Sequence, residues 1–330
     1  MKMLFPMAAC LVLLTITVSC KSVENNQEDL NTQSVNDIET STTNEEKLTF
    51  AIVYPVAHPF FELVTLGARE MVENIGEEVD IVVRAPNVAS VEEQLQIMDS
   101  LIKQNVDGIA IGPTDSAILT PFINKAIDAG INVICFDTDA PESNRVSYIG
   151  TDNLSAGEHL GEVVAEALDY EGAVIVSSGL STMLNLNTRI DGVIEKFKEY
   201  PDIEIMDIRY SDGNPSKTLT NIEEMVDEFP EFDALIGIDS LSGPAAVTVW
   251  KAKGLQEKSV ITFDDLPMIL DGIENNHITS TISQSQYTWG ELIIESLYDS
   301  YLGEDIAPYQ ITETIEVNST NIDEYLLTAD

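Results

Sequence analysis

The feature that most constrains the fold is a regular alternation of short apolar runs with amphipathic stretches, which begins near Leu48. Runs such as LTFAIVY (48–54) and VDIVVRA (79–85) are rich in β-branched residues, which predicts strands. The stretch VEEQLQIMDSLIKQ (91–104) repeats apolar residues at spacings of three and four, which predicts a helix. Because near-continuous apolar strands with helices between them form parallel sheets covered on both faces, we expect an α/β fold.

The alternation restarts near residue 146, and two arrays of roughly 100 residues each predict two doubly wound, Rossmann-like parallel-sheet lobes. A helix at 288–301 and a strand at 309–317 remain, and these could cross back to complete the lobes. Ligands of open α/β sheets bind at the carboxyl ends of the strands, so we predict a site in the cleft between the lobes. The predicted bounds are 48–150 plus 286–312 for the N-terminal lobe and 151–285 plus 313–330 for the C-terminal lobe.

Residues 1–19 have the layout of a secretory signal peptide. Lys2 is followed by an apolar run that ends near Ile16, and this run is shorter than the ~20 residues of a membrane span. The sequence TVSC (17–20) resembles the bacterial lipobox, whose cysteine becomes the lipid-modified first residue of the mature protein. We therefore expect lipidation at Cys20, and free secretion after ordinary signal cleavage is the alternative.

The segment that follows, residues 20–47, is predicted to be a disordered acidic tether behind the lipid anchor. Its residues 21–46 include seven acids and one Lys, with no aromatic residue. Such a composition buries too little apolar surface to offset the entropy lost on ordering. We therefore expect an exported lipoprotein in the periplasm or on the outer face of the cytoplasmic membrane, which touches the membrane only through its lipid.

The charge balance and the motif content exclude several classes of function. The chain has 16 Lys and Arg against 57 Asp and Glu, a formal net charge of −41, so we expect no nucleic-acid partner. It contains none of the motifs G-x-x-x-x-G-K-[ST], H-E-x-x-H or G-x-S-x-G. Cys135 lies alone in the apolar run INVICFD, which is typical of a core residue. We expect a monomer that is not an enzyme and that holds no cofactor or metal.

Polar and aromatic side chains follow the predicted strands, where a cleft would lie. Each residue alone has a structural explanation: an Asp can cap a helix, a Phe can fill a core and an Arg can pair with a surface acid. Their recurrence at equivalent strand ends of both arrays indicates a shared site. Carboxylates accept hydroxyl hydrogen bonds, Arg donates in a fork and aromatic faces cover the C–H face of a sugar ring, so the set suits a polyhydroxylated ligand. The candidate ligand-binding residues are His58, Phe60, Phe61, Asp137, Thr138, Arg189, Asp239, Asp264 and Gln284.

From about Leu48 to Val317 the chain resembles the ribose-binding family of type I bacterial solute-binding lipoproteins. The runs that carry the resemblance include AIVYPVAHPFFELVTLGA, INVICFDTDAP, LIGIDSLSGPAAVTVWKAKG and ITSTISQSQYTWG. The resemblance implies three hinge strands near Thr151, Ser285 and Glu313, closure over a sugar or polyol, and delivery to an ABC-type permease. A sensory module that reports to a receptor kinase or chemoreceptor is the alternative.

Carried over by position, the family's pattern departs at three of the candidate residues. His58 replaces an Asn, Thr138 replaces an Arg and Asp239 replaces an Asn, while the family's third aromatic residue has Tyr210 as a candidate replacement. The family's residue types are kept at Phe60, Phe61, Asp137, Arg189, Asp264 and Gln284. Because one cation is lost and one carboxylate gained, we expect a neutral monosaccharide or cyclic polyol, with a cationic amino sugar as the second candidate.

Overall fold

The computed structural model describes residues 47–76 and 79–328. The predicted signal peptide, the candidate lipidation site Cys20 and the tether up to residue 46 lie outside the described residues. Among the helices of the described part, none is both long and apolar enough to cross a membrane.

The described residues form twelve short strands and ten α-helices, which alternate along most of the chain. The strands are β1 (Leu48–Val53), β2 (Val79–Arg84), β3 (Gly108–Ile111), β4 (Asn132–Phe136), β5 (Ser147–Thr151), β6 (Gly172–Ser178), β7 (Ile203–Tyr210), β8 (Ala234–Gly237), β9 (Ser259–Phe263), β10 (Ser280–Ser283), β11 (Tyr309–Thr312) and β12 (Ile315–Asn318). The helices are α1 (Glu62–Ile75), α2 (Val91–Gln104), α3 (Ser116–Asp128), α4 (Asn153–Ala167), α5 (Leu184–Phe197), α6 (Pro215–Glu228), α7 (Ser242–Lys253), α8 (Pro267–Glu274), α9 (Gln286–Leu302) and α10 (Ile322–Thr328).

The strands make two six-stranded sheets with the same spatial order. The first sheet runs β2-β1-β3-β4-β5-β11, and the second runs β7-β6-β8-β9-β10-β12. All neighbouring strands are parallel except β12, which is antiparallel to β10. The predicted fold class, two doubly wound α/β lobes, is therefore confirmed, with one antiparallel edge strand that the sequence patterns did not predict.

Strand β1 shows how alternation along a strand builds a core on both faces of its sheet. Phe50 and Ile52 point to one face, where they pack in a cluster with Trp289 of α9. Ala51 points to the other face, where it packs in a cluster with Met98 of α2. All five side chains are fully buried. Because both faces are covered, the carboxyl edge of the sheet is left as the place where polar side chains can gather.

Helices α4 and α5 of the second lobe approach each other closely through two glycines. A Cβ atom on Gly157 would lie 2.2 Å from the Arg189 carbonyl oxygen, and one on Gly192 would lie 2.3 Å from the Leu154 carbonyl oxygen. No side chain fits at either position, so glycine is required for this approach. The contact fixes the backbone from which the Arg189 side chain extends.

The C-terminal part departs from the sequence prediction in two respects. The predicted strand 309–317 is two strands, β11 on the edge of the first sheet and β12 on the edge of the second. The chain passes from one sheet to the other at 313–314, where the Ser285 Oγ donates to the Glu313 carbonyl oxygen at 2.9 Å. The helices α8 and α10 were not predicted, because each is too short to show a clear period of 3.6 residues. The residue-level lobe bounds and the hinge stay predictions.

Candidate functional site

A cavity of about 500 Å³ lies between the carboxyl ends of the two sheets. Its volume falls in the range of roughly 300–1,000 Å³ that small-molecule sites occupy. Eight of the nine predicted site residues line it: His58, Phe60, Phe61, Asp137, Arg189, Asp239, Asp264 and Gln284. Both sheets contribute to its walls, as the predicted cleft requires.

Thr138 is the predicted site residue that does not reach the cavity wall. Its backbone N–H donates to the Phe136 carbonyl oxygen at 2.6 Å in a tight turn, and its side chain is fully buried. The Thr138 hydroxyl lies behind Asp137, with its Oγ1 3.5 Å from Asp137 Oδ2. Thr138 therefore contacts the Asp137 carboxylate but does not line the cavity.

The aromatic wall begins with a short 3-10 turn, Pro59–Phe61, directly after β1. The Nδ1 atom of His58 accepts the Phe60 backbone N–H at 3.3 Å and so caps this turn. Burial lowers the pKa of His58, which favours the neutral ring that this acceptor role needs. The Phe61 ring stacks on Tyr54 at a centroid distance of 4.6 Å, and the Phe60 ring meets Phe61 edge-on at 4.9 Å. Both Phe rings are thus held rigidly while each keeps a surface on the cavity.

Asp137 and Asp264 occupy equivalent places at the ends of β4 and β9, and both have an unusual backbone. Their φ angles are 59° and 73°, in the left-handed region that non-glycine residues rarely adopt. The Asp137 N–H donates to the Ile149 carbonyl oxygen at 3.1 Å, and the Asp264 N–H donates to the Ile282 carbonyl oxygen at 2.8 Å. Each bond ties the turn to the next strand of its sheet and so stabilises the strained conformation.

Asp137 and Asp239 each have one carboxylate oxygen held by the protein. The Asn185 Nδ2 donates to Asp137 Oδ1 at 3.1 Å. The Ser242 N–H and Oγ donate to Asp239 Oδ1 at 3.1 and 2.5 Å. Among the described residues, no hydrogen bond reaches the Oδ2 atom of Asp239. A Cβ on the cavity residue Gly179 would lie 2.7 Å from that atom, so a side chain at this position would displace the Asp239 carboxylate.

Asp264 and Gln284, which both line the cavity, are joined by a hydrogen bond. The Gln284 Nε2 donates to Asp264 Oδ1 at 2.7 Å. The Gln284 Oε1 accepts from Arg189 Nη2 at 2.9 Å and from Thr151 Oγ1 at 2.7 Å. Because the donors around it fix which end of the Gln284 amide is oxygen, Asp264 Oδ1 is engaged and its Oδ2 accepts no hydrogen bond from the described residues.

Arg189 is 2% exposed, and its hydrogen bonds go to neutral oxygens. Its Nε donates to Asn153 Oδ1 at 2.8 Å and its Nη1 to the Ile238 carbonyl oxygen at 3.1 Å. Its Cζ lies 4.0 Å from the centroid of the Phe263 ring. Among the described residues, no ion pair includes Arg189 or any of the three buried Asp residues of the cavity.

Burial governs the electrostatics of the three carboxylates. It raises the pKa of Asp137 to about 6 and that of Asp264 to about 7, and Arg189 opposes the rise in both. Burial also raises the pKa of Asp239, against the hydrogen bonds from Ser242. The exposed wall residues Lys217 and Asp212 pair with each other. One buried guanidinium near three buried carboxylates therefore leaves a cavity that resists any further negative charge.

Sequence reasoning missed several residues on the cavity wall. Asn185 is a buried amide among them, and its position one helical turn before Arg189 is a signal that would have found it, because residues i and i+4 share a helix face. Tyr210 is not among the residues that line the cavity, so it supplies no third aromatic surface there. Three aliphatic residues also line the cavity: Leu180, Met183 and Leu186.

Two α/β lobes whose strand ends enclose one cavity define a two-lobed ligand-binding protein. A family model described as a periplasmic binding protein domain matches residues 50–305. The chain therefore belongs to the periplasmic binding proteins, of the type I kind that includes the ribose-binding proteins. Membership implies a location outside the cytoplasm.

Named relatives agree with this assignment. The chain is 25% identical over 253 residues to a D-ribose/D-allose-binding protein of Pseudomonas aeruginosa, covering 73% of this chain and 78% of that protein. It is 24% identical over 266 residues to the ribose import binding protein RbsB of Bacillus subtilis, covering 80% of this chain and 85% of that protein. An ABC transporter solute-binding protein from Burkholderia graminis, solved in complex with D-arabinose, is 29% identical with a TM-score of 0.81, covering 84% of this chain and 97% of that one.

Proposed function

We propose that this protein binds a neutral monosaccharide or cyclic polyol in the cavity and carries out no chemistry on it. The observation that carries the proposal is the pairing of the Phe60 and Phe61 wall with carboxylates that keep an oxygen free of protein hydrogen bonds. An aromatic face covers the C–H side of a sugar ring, and each free carboxylate oxygen accepts a ligand hydroxyl. The sugars named for the relatives support a ligand of this class.

The proposed contacts come from both lobes, so that the ligand is held only when the lobes close. The proposed ligand-binding residues are those of the cavity wall that the sequence predicted: His58, Phe60, Phe61, Asp137, Arg189, Asp239, Asp264 and Gln284. Thr138 supports Asp137 from behind.

The charge of the cavity selects among ligands of this class. A sugar phosphate or uronic acid would face three buried carboxylates and one buried guanidinium, because the wall cation Lys217 is paired with Asp212, and the cost in this partly desolvated site is several kcal/mol. A neutral polyol donates hydroxyls to the same carboxylates. A protonated amino sugar would gain a charge-assisted pair, which makes it the second candidate.

Two measurements test this proposal. A thermal-shift screen of sugars, polyols and amino sugars against the purified protein finds the ligand class, since a ligand in excess raises stability by RT ln(1 + [L]/Kd). Calorimetry then compares a neutral hit with its uronic acid or phosphate and with its amino derivative. Tighter binding of the anion than of its neutral parent contradicts the proposed charge of the site.

We propose that the closed complex is delivered to an ABC-type permease from a lipid anchor at Cys20. The sensory alternative predicts a different phenotype in the host. Deletion of the protein abolishes uptake of the labelled ligand if it serves a permease. If it serves a receptor, the deletion leaves uptake intact and abolishes the transcriptional or motile response to the ligand.

A further inference from the structure

Two hydrogen bonds cross the cleft from the loop after β6 and the first turn of α5. We define residues 179–185 as the latch segment. The Thr182 Oγ1 donates to the Thr114 carbonyl oxygen at 2.7 Å, and the Asn185 Nδ2 donates to Asp137 Oδ1 at 3.1 Å. Both acceptors lie in loops that follow strands of the first sheet, β3 and β4, whereas both donors follow a strand of the second sheet. We propose that Thr182 and Asn185 form a latch that holds the two lobes closed, with Asn185 as the positioning residue for Asp137.

The acceptor at Thr114 is rigid. Gln94 is fully buried, and its Oε1 accepts the backbone N–H and the hydroxyl of Thr114 at 2.9 and 2.7 Å. The Gln94 Nε2 donates to the Gly112 carbonyl oxygen at 2.8 Å. The loop after β3 is therefore held in one conformation before the latch segment reaches it, so little entropy is lost when Thr182 docks.

The latch segment is braced on its own side as well. The Asn187 Nδ2 donates to the Ser181 carbonyl oxygen at 2.8 Å, next to Thr182. The Asn185 Oδ1 accepts the Leu186 backbone N–H at 2.9 Å, which directs its Nδ2 toward Asp137. An amide turned the other way would place an oxygen against the Asp137 carboxylate, so the donor orientation is the only one that satisfies both partners.

Asn185 connects the latch to the ligand site. It is 4% exposed and lines the cavity. Its amide donates to Asp137 Oδ1, while Asp137 Oδ2 has only the long contact of 3.5 Å with the Thr138 hydroxyl. The Asn185 bond forms only when the lobes meet, so it orients Asp137 in the closed state and not in an open one. Because neither latch bond includes a ligand atom, the latch raises the fraction of closed protein and with it the apparent affinity.

This inference rests on the proposed function only in assuming that the cleft opens and closes around a ligand. The test variants are Thr182→Val and Asn185→Ala in the full chain. The chain offers matched controls outside the latch segment, because the Thr248 hydroxyl donates to the Pro244 carbonyl oxygen and the Asn275 amide to the Asp271 carbonyl oxygen, each within the second lobe. The control variants are Thr248→Val and Asn275→Ala.

Two readouts distinguish a latch from a general structural role. Small-angle scattering without any ligand is expected to show a larger radius of gyration for each latch variant than for the controls. Calorimetry and stopped-flow kinetics with the tightest sugar or polyol from the screen are expected to show an affinity lower by about three- to tenfold for each latch variant, carried by faster dissociation. The controls are expected to match the wild type in both readouts.

The outcomes separate cleanly. Latch variants that match the controls in scattering and in dissociation rate overturn the proposal, as does a loss of affinity confined to Asn185→Ala with unchanged scattering. If Asn185→Ala does not fold, the two readouts of Thr182→Val test the proposal, because Thr182 is exposed and a valine side chain has the same shape as a threonine side chain. A wild type that binds no sugar or polyol refutes the proposed function, but the scattering comparison still tests the latch.

Discussion

Replacing Asp264 by Asn tests the balance between stability and binding in this protein. Asp264 is 3% exposed, sits at a φ of 73° and gives one oxygen to Gln284 Nε2. Asn keeps the size of the side chain and an oxygen for Gln284, and it tolerates a left-handed backbone. What it removes is a buried negative charge and a hydrogen-bond acceptor on the cavity wall.

The magnitude follows from the pKa of Asp264, which burial raises from 3.8 to about 7. A raised pKa means that the folded state disfavours the ionised form. Below pH 3.8 the carboxyl is protonated in both states, so no cost arises. As the pH rises toward 7 the unfolded chain ionises first, and above 7 the folded state is less stable by about 1.36 kcal/mol for each pKa unit, ~4 kcal/mol in all.

We therefore expect Asp264→Asn to stabilise the protein at alkaline pH and to weaken it as a binder. The free energy of unfolding of the variant minus that of the wild type should increase by roughly 2–3 kcal/mol between pH 5 and pH 8, measured by urea denaturation at both values. Affinity for the sugar or polyol should fall at least about tenfold by calorimetry, because ligand hydroxyls lose an acceptor in a dry site.

The control is Asp271→Asn, which removes a carboxylate from an exposed position of α8. It should leave the pH dependence of unfolding and the affinity as they are in the wild type. If Asp264→Asn is no more stable than the wild type at pH 8, the buried carboxylate carries no cost and the reasoning from burial is refuted. Unchanged affinity removes Asp264 from the site.

Three further predictions concern the wall, the turn behind it and the anchor. Phe60→Leu keeps an apolar side chain but removes the aromatic face, so calorimetry should show an affinity lower by about 0.5–1.5 kcal/mol, and an unchanged Kd would mean that the ring does not cover the sugar. Thr138→Val removes a hydroxyl that does not reach the cavity, so its Kd should stay within about threefold of the wild type; a larger loss would place Thr138 in contact with the ligand. Cys20→Ser should release the protein from host membranes or block its processing, and a fully processed variant that still fractionates with the membrane would rule out lipidation at this cysteine.

The sequence patterns predicted the buried charged residues of the cavity wall because parallel strands bring their carboxyl ends to one edge. Asp137, Asp239 and Asp264 each follow an apolar run, so their convergence could be predicted without coordinates. Thr138 could not be placed in the same way. Its neighbour Asp137 adopts a left-handed φ, and the resulting turn directs Thr138 inward, a conformation that no residue in the sequence marks.

Contacts between lobes were the part that the sequence could not supply. Asn185 reaches Asp137 only because the α5 start of one lobe meets a strand end of the other, 48 residues away in the chain. The passage between the sheets at 313–314 was also hidden, since Tyr309–Asn318 contains no Gly or Pro to mark a break. In both cases the determining interaction is long-range, and local propensity carries no information about it.

The backbone at two strand ends separates Asp137 and Asp264 from the Asp residues that cap helices. Asp115 and Asp152 cap α3 and α4 with extended backbones, at φ −147° and −70°, and each accepts a helix N–H. Asp137 and Asp264 have positive φ angles and accept no helix N–H; their partners are side-chain amides instead. A left-handed non-glycine residue costs of order 1–3 kcal/mol, and burial of the carboxylate adds to this cost. A helix-capping Asp needs neither a left-handed backbone nor a buried carboxylate. The strain and the buried charge recur at equivalent ends of both sheets, and this recurrence supports the proposal that both carboxylates hold a ligand between these ends.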